Sequence, residues 1–134
     1  MERVRYSAVV LDEKSHSKLL GFAGSYIPNG WETIAHHMTI NNGEIKPQYE
    51  KYLGMTVILK VVGIGFSDKA IAVKVDGFPT ENKIPHITVA VNRKAGGKPV
   101  MSNQITNWQP IQFSLQLTGK VEEVIWLIME EIDL

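Results

Sequence analysis

The strongest constraint on the fold is a segment that the chain carries twice, as Ala35-His36-His37-Met38-Thr39-Ile40-Asn41 and as Pro85-His86-Ile87-Thr88-Val89-Ala90-Val91-Asn92. Both read as strands with one buried face. Pleating sends alternate side chains to opposite sides, so His37 and Thr39 share a face, as do His86 and Thr88, with members of each pair roughly 6.6 Å apart along the strand. Ile34, His36, Met38 and Ile40 fall on the other side of the first strand, and Ile87, Val89 and Val91 on the other side of the second. Those are the core faces. The two His-x-Thr faces must then look into a groove or at solvent.

Around these strands the pattern is mostly β. Val4 to Leu11 reads as a first strand, ended by Asp12-Glu13-Lys14-Ser15. Leu19, Phe22, Ala23, Tyr26 and Ile27 then fall at helical spacing, which predicts a helix over roughly residues 16–26 with Ser15 as its N-cap. Pro28-Asn29-Gly30 stops it. Thr33 to Asn41 is the next strand, and residues 44–54 read as a loop with one helical turn. Met55 to Phe66 and Ala70 to Val75 form a predicted hairpin about Ser67-Asp68-Lys69. Ile84 to Asn92 is followed by the Gly-rich stretch Arg93 to Pro99, and residues 102–107 read as a turn or short helix. Ile111, Phe113, Leu115 and Leu117 alternate with polar residues, and a last strand, Val121 to Ile128, follows a turn at Thr118-Gly119. No linker or low-complexity tract divides residues 1–134, so a single domain is expected.

Composition narrows the chemistry. The chain has 134 residues and no cysteine, long enough to bury a core without a staple. Lacking thiols, it cannot form zinc ribbons, iron-sulfur centres, redox dithiols or a thiol nucleophile. The longest apolar run, Val124 to Met129, is far short of the roughly 20 residues of a membrane span. The charged N-terminal residues lack a signal-peptide core, and a cytoplasmic protein with no membrane partner is expected.

Fourteen basic residues balance 14 acidic ones, which argues against gripping a long nucleic-acid duplex. The balance is uneven along the chain. Every basic residue precedes Val121, while Glu122, Glu123, Glu130, Glu131 and Asp133 follow it, so a mildly positive field around a small anion is compatible with neutrality if the acidic end folds away.

The doubled motif suits phosphoryl chemistry. Cleaving a phosphodiester without a metal needs one group to accept a proton from the attacking oxygen and another to supply one to the leaving oxygen, and imidazole titrates in the right range for both. The Thr39 and Thr88 hydroxyls are placed to donate to non-bridging phosphoryl oxygens. Which histidine is acid and which is base is left open by the sequence.

With His37-Met38-Thr39 and His86-Ile87-Thr88 each inside an apolar strand, and Pro85 before the second, the chain resembles the two-histidine (2H) phosphoesterase superfamily. That superfamily includes LigT-like RNA 2′,3′-cyclic phosphodiesterases, the cyclic phosphodiesterase domains of tRNA ligases and phage anti-CBASS enzymes that cleave cyclic oligonucleotides. The resemblance implies an α+β, bilobal fold with few helices, in which two small antiparallel sheets related by pseudo-twofold symmetry flank a central cleft. It also implies a metal-independent hydrolase with no cofactor. The expected substrate is a 2′,3′-cyclic phosphate of RNA or a nucleotide, or a small cyclic oligonucleotide, so both RNA processing and signal degradation stay open. A non-catalytic nucleotide-binding module and a single-stranded RNA-binding protein are the rival readings.

Beyond the four catalytic candidates His37, Thr39, His86 and Thr88, five residues are candidates for substrate binding. Asn41 and Asn92 share the motif faces, with turn formation the alternative. Trp31, and less so Tyr6, are placed to stack on a base, with core filling the alternative. Lys94, with Arg93 and Lys98, forms a basic loop beside the second motif, or a plain solvated loop. His36 is expected on the core side with a backbone partner and His16 in solvent, and no metal site is expected because adjacent strand residues face opposite ways.

Overall fold

The computed structural model describes residues 2–127. The described residues form an α+β fold of one helix and eight strands: β1 (Glu2–Leu11), α1 (Glu13–Ala23), β2 (Glu32–Thr33), β3 (His37–Asn42), β4 (Thr56–Phe66), β5 (Ala70–Asp76), β6 (His86–Val91), β7 (Asn107–Pro110) and β8 (Gln116–Leu127). Short 3-10 turns cover Gly24–Tyr26, Pro47–Tyr52, Arg93–Ala95 and Pro99–Gln104. No helix among the described residues is long and apolar enough to cross a membrane.

The helix begins earlier than its periodicity predicts. Asp12, not Ser15, is the cap: its carboxylate accepts from the Ser15 amide at 2.7 Å, satisfying one of the amides that a helix start leaves orphaned. The buried Ser15 hydroxyl instead accepts from the Thr118 amide at 2.7 Å, tying α1 to β8. The β4–β5 hairpin forms as expected, and Ser67 Oγ accepts from the Ala70 amide at 3.0 Å.

Three strand expectations are overturned, the first being a single strand over Thr33 to Asn41, which is split into β2 and β3. The alternating stretch from Ile111 is not a strand up to Leu115; the strand β7 lies before it, at Asn107–Pro110, and pairs with β4. Thr118-Gly119 is no turn, because β8 runs straight through it. Gly119 is needed for close approach rather than for bending, since a Cβ there would lie 2.7 Å from Val9 Cγ1 and 2.8 Å from the Val10 carbonyl oxygen.

All strand pairs are antiparallel, and the order β6-β3-β1-β8-β4-β5 returns to β6 through a β5–β6 pairing. The strands therefore form one sheet that partly closes as a barrel, where the resemblance implied two separate sheets. The physical reason is that β8 pairs with both β1 and β4, carrying the hydrogen bonding from one half of the ring into the other. Closure is thinnest between β3 and β6, where Met38 and Ile87 are the paired residues.

The ring is internally repeated. Exchanging β1 with β5, β3 with β6 and β4 with β8 leaves the strand order unchanged. The registers repeat as well: Ala8 lies opposite Thr39 and Ala72 opposite Thr88, Val9 opposite Met38 and Val73 opposite Ile87. Each His-x-Thr is followed at once by a β-bulge, at Ile40 in β3 and at Val89 in β6.

Core residues come from all six ring strands, among them Val9, Met38, Leu59, Val73, Ile87 and Leu117, joined by Leu19 and Ala23 of α1. Burying a side chain of this size is worth about 1.5–3 kcal/mol, and this packing fixes which face of β3 and β6 turns inward. A second, smaller cluster of Ala70, Ala72, Val91 and Ile105 covers part of the other face, with Trp108 and Ile34 against it.

Candidate active site

Met38 and Ile87 point into the core at the β3–β6 seam, so their neighbours project from the other face. There His37, Thr39, His86 and Thr88 line one cavity of about 510 Å³, a volume in the range of small-ligand sites. Tyr6 on β1 lines it too. Arg5, Arg93 and Lys98 bring cationic groups to its wall, and none of its lining residues is a carboxylate.

The chain reaches β3 through a distortion that alternation alone does not reveal. Between Thr33, paired with Ala90, and Met38, paired with Ile87, the first segment holds two more residues than β6 does. Ala35 absorbs the excess with φ of 46°, a left-handed conformation that is rare for a residue with a Cβ. Backbone bonds pin the detour: the Ala35 amide donates to the Thr88 carbonyl at 2.9 Å, and His16 Nδ1–H donates to the Ala35 carbonyl at 2.7 Å. His16 is thus half-buried and engaged, not a solvated helix residue. The detour also turns His36 out of the core, contrary to expectation. It is exposed and lines the cavity beside His37, with the two Nδ1 atoms 2.9 Å apart.

Each catalytic candidate has its own environment. His37 lies under Tyr6, ring centroids 4.4 Å apart and nearly parallel, and the Tyr6 hydroxyl approaches His37 Nδ1 at 3.4 Å. Burial, reinforced by His36, Arg5 and His86, pushes the His37 pKa down to about 3. His86 Nδ1–H donates to the Ile84 carbonyl at 2.7 Å, which leaves Nε2 as its free nitrogen. Burial lowers its pKa, and the Ile84 bond opposes that shift. Both imidazoles are consequently neutral in the free protein near pH 7.

The threonines differ. Thr39 is half-buried, and its hydroxyl makes no hydrogen bond to the other described residues. Thr88 Oγ1 donates to the Pro99 carbonyl at 3.2 Å and lies 2.8 Å from the Oγ of Ser102, which is buried in the Pro99–Gln104 turn.

Of the five binding candidates, Tyr6 alone is brought to the cavity. Asn41 is buried outside it: its amide donates to the Asn42 and Glu44 carbonyls and its Oδ1 accepts from the Lys46 amide, which makes it a turn-forming asparagine. The Ile40 bulge reverses the alternation, so Asn42 occupies the cavity wall in its place. Asn92 Nδ2 donates to the Asp68 carbonyl at 3.3 Å. Trp31 packs against the main core. Lys94 is exposed and lies outside the cavity lining, whereas Arg93 and Lys98 of the same loop reach it.

That loop is shaped by its glycines. Gly96 is left-handed at φ 82°, and the Gly97 amide donates to the Asn92 carbonyl at 2.8 Å, folding the chain back so that Lys98 faces the cleft. Arg93 makes a paired contact with Glu32, through Nε at 3.0 Å and a terminal nitrogen at 3.1 Å. Sequence reasoning missed Asn42, Asn82, Asn103 and Val100 on the wall. Of these, only Asn42 carried a signal, its position at the end of the motif strand.

No protein-family model matches the chain, and no curated protein matches its sequence.

Proposed function

We propose that this protein is a phosphodiesterase of the 2H type, hydrolysing a 2′,3′-cyclic phosphate or a small cyclic oligonucleotide without a metal ion. The observation that carries the reading is the convergence of both His-x-Thr pairs on one cavity of about 510 Å³ walled by Arg5, Arg93 and Lys98. Such a cavity favours a phosphodiester anion. One imidazole accepts a proton from the attacking oxygen, the other supplies one to the leaving oxygen, and Thr39 donates to a non-bridging oxygen as charge accumulates there. A ribose 2′-hydroxyl can replace water as the nucleophile, so one set of residues serves both substrate classes. The bilobal, pseudo-twofold arrangement belongs to this reading. Its support is the repeated register around Thr39 and Thr88. The expected setting is the cytoplasm, with short nucleotide substrates and no long duplex.

A non-catalytic nucleotide-binding cleft is the second reading. It is favoured by Thr88, whose one hydroxyl proton is already donated to Pro99, so it must rotate before it can serve a phosphate. The two are separated by incubating the protein in EDTA with 2′,3′-cyclic mononucleotides, cyclic-phosphate-ended RNA, 2′-5′ oligoadenylate and cyclic dinucleotides, then resolving the products by chromatography. Turnover supports the enzyme; retention of intact ligand supports the binding module.

A further inference from the structure

The proposed reaction needs an acid, and neither His37 nor His86 holds a second proton in the free protein. His86 is bare at Nε2 because its Nδ1–H is committed to Ile84, which suits a base. His37 is half-buried, its environment disfavours a second proton, and by itself it is a poor proton source. His36 changes this arithmetic. Its Nδ1 sits 2.9 Å from His37 Nδ1, a distance that requires one hydrogen between the two nitrogens.

The position of that hydrogen follows from what else meets His37. The Tyr6 hydroxyl approaches the same nitrogen at 3.4 Å. An imidazole nitrogen offers one in-plane lone pair or one in-plane N–H, so it serves His36 at 2.9 Å rather than the hydroxyl of the stacked Tyr6 ring, and the more exposed His36, the ring that takes up a proton first, is the donor. With Nδ1 accepting, neutral His37 carries its proton on Nε2, the nitrogen left for a ligand.

Resting on the phosphodiesterase reading, we propose that His36 is a positioning residue for His37: His36 Nδ1–H donates to His37 Nδ1, which makes His37 the Nε2–H donor to the leaving oxygen and His86 the base. The proton balance closes. As the attacking oxygen bonds to phosphorus, its proton passes to His86 Nε2. The bond from phosphorus to the leaving oxygen breaks, and that oxygen takes the His37 Nε2 proton. His37 Nδ1 takes the proton of an imidazolium His36, leaving His36 neutral; afterwards solvent returns a proton to His37 Nε2 and removes one from His86 Nε2, and the His37 Nδ1 proton passes back to His36.

The surroundings of His36 fit the role. It is the most exposed of the three cleft histidines and so exchanges protons with solvent most readily. Its pKa is lowered, first by burial and also by His16 of α1, with the Glu122 carboxylate of β8 opposing, so the imidazolium forms by uptake of a solvent proton during turnover rather than standing charged at rest. The groups acting on His37 are His36, Arg5 of β1 and His86 of β6, with Tyr6 stacked on its ring.

Two measurements decide the matter. Long-range 1H–15N spectra of the wild-type protein at pH 7.5 should show His37 protonated at Nε2 and His86 at Nδ1; His37 protonated at Nδ1 overturns the proposal whatever the activity. The second compares His36→Asn, which keeps a donor but cannot pass a proton, on two substrates. With cytidine 2′,3′-cyclic phosphate, whose leaving oxygen needs an acid, kcat should fall by about 10–100-fold and the alkaline limb of the pH profile should shift. With uridine 3′-(4-nitrophenyl phosphate), whose leaving group departs unprotonated, kcat should change by less than about 3-fold by the same logic. Equal losses on both, or none on either, overturn the relay while leaving the phosphodiesterase reading intact. Absence of turnover by the wild type overturns that reading, and the relay with it.

Discussion

Ala8 and Ala72 hold equivalent places in the two halves of the ring, each directly opposite the threonine of a His-x-Thr motif and each fully buried. A cross-strand pair has Cβ atoms about 4.5–5.5 Å apart, so the small residue decides how much room the threonine has. Ala72→Leu and Ala8→Leu should each cost about 1–3 kcal/mol through overpacking. Urea denaturation measures the cost; a neutral result at both sites would mean that the equivalence has no packing consequence.

His37 should make stability depend on pH. Its folded-state pKa is pushed down to about 3 from 6.5, first by burial and then by His36, Arg5 and His86. The unfolded chain therefore binds a proton that the folded one refuses. Stability from this source is fully present above about pH 6.5 and is lost as pH falls toward about 3. In His37→Gln, denaturation midpoints should vary less than in the wild type across that window. A variant as pH-sensitive as the wild type contradicts the burial of this imidazole.

Gly97 sets the loop that brings Arg93 and Lys98 to the cavity. A Cβ at this position would come within 2.7 Å of the Asn92 carbonyl oxygen and 2.9 Å of the Asn92 amide nitrogen, and would also strike the Lys69 carbonyl. These are backbone atoms with little freedom to give way. Gly97→Ala should raise KM several-fold with a smaller change in kcat, the pattern of lost ground-state binding. Steady-state kinetics on one cyclic nucleotide checks it, and an unchanged KM would remove the loop from substrate binding.

Ser102 holds Thr88 from a turn that crosses the outer face of β5 and β6. Removing its hydroxyl in Ser102→Ala deletes the 2.8 Å contact but leaves the Pro99 bond, so the expected loss is about 0.5–1.5 kcal/mol, the net worth of one hydrogen bond. Thermal unfolding reads the loss. A larger one would mean that Thr88 depends on Ser102 more than on Pro99.

Regular alternation was the legible part of this chain. Where β3 and β6 run regularly, His37, Thr39, His86 and Thr88 could be assigned to one face, and the structure puts all four on one wall. Legibility ended where the pleat was interrupted. The bulge at Ile40 exchanged Asn41 for Asn42. The left-handed Ala35 brought His36 out of the core. Neither leaves a residue-type signature, because Ile is an ordinary strand residue and Ala rarely takes a positive φ.

Gly119 misled in the opposite direction, reading as a turn where it serves close strand packing. Lys94 and Lys98 lie in one basic run, and only the chain reversal at Gly96 and Gly97 decides that Lys98 faces the cleft. Trp31 shows how weak a tryptophan is as a base-stacking signal, and Trp108 has an equally structural place. The first packs on the core, and the second lies over Gly65 with its indole N–H donating to Ile105.

The most direct test of paired-histidine catalysis is the rate of hydrolysis of a 2′,3′-cyclic mononucleotide in EDTA by the wild type, His37→Ala, His86→Ala and the double variant, with folding checked by circular dichroism. Paired-histidine catalysis predicts metal-independent turnover by the wild type. Each single variant should lose about 10²–10⁴-fold, with the double variant little worse than the singles because the two imidazoles act as a unit. Undiminished turnover by the double variant, or wild-type activity that vanishes in EDTA, would contradict it.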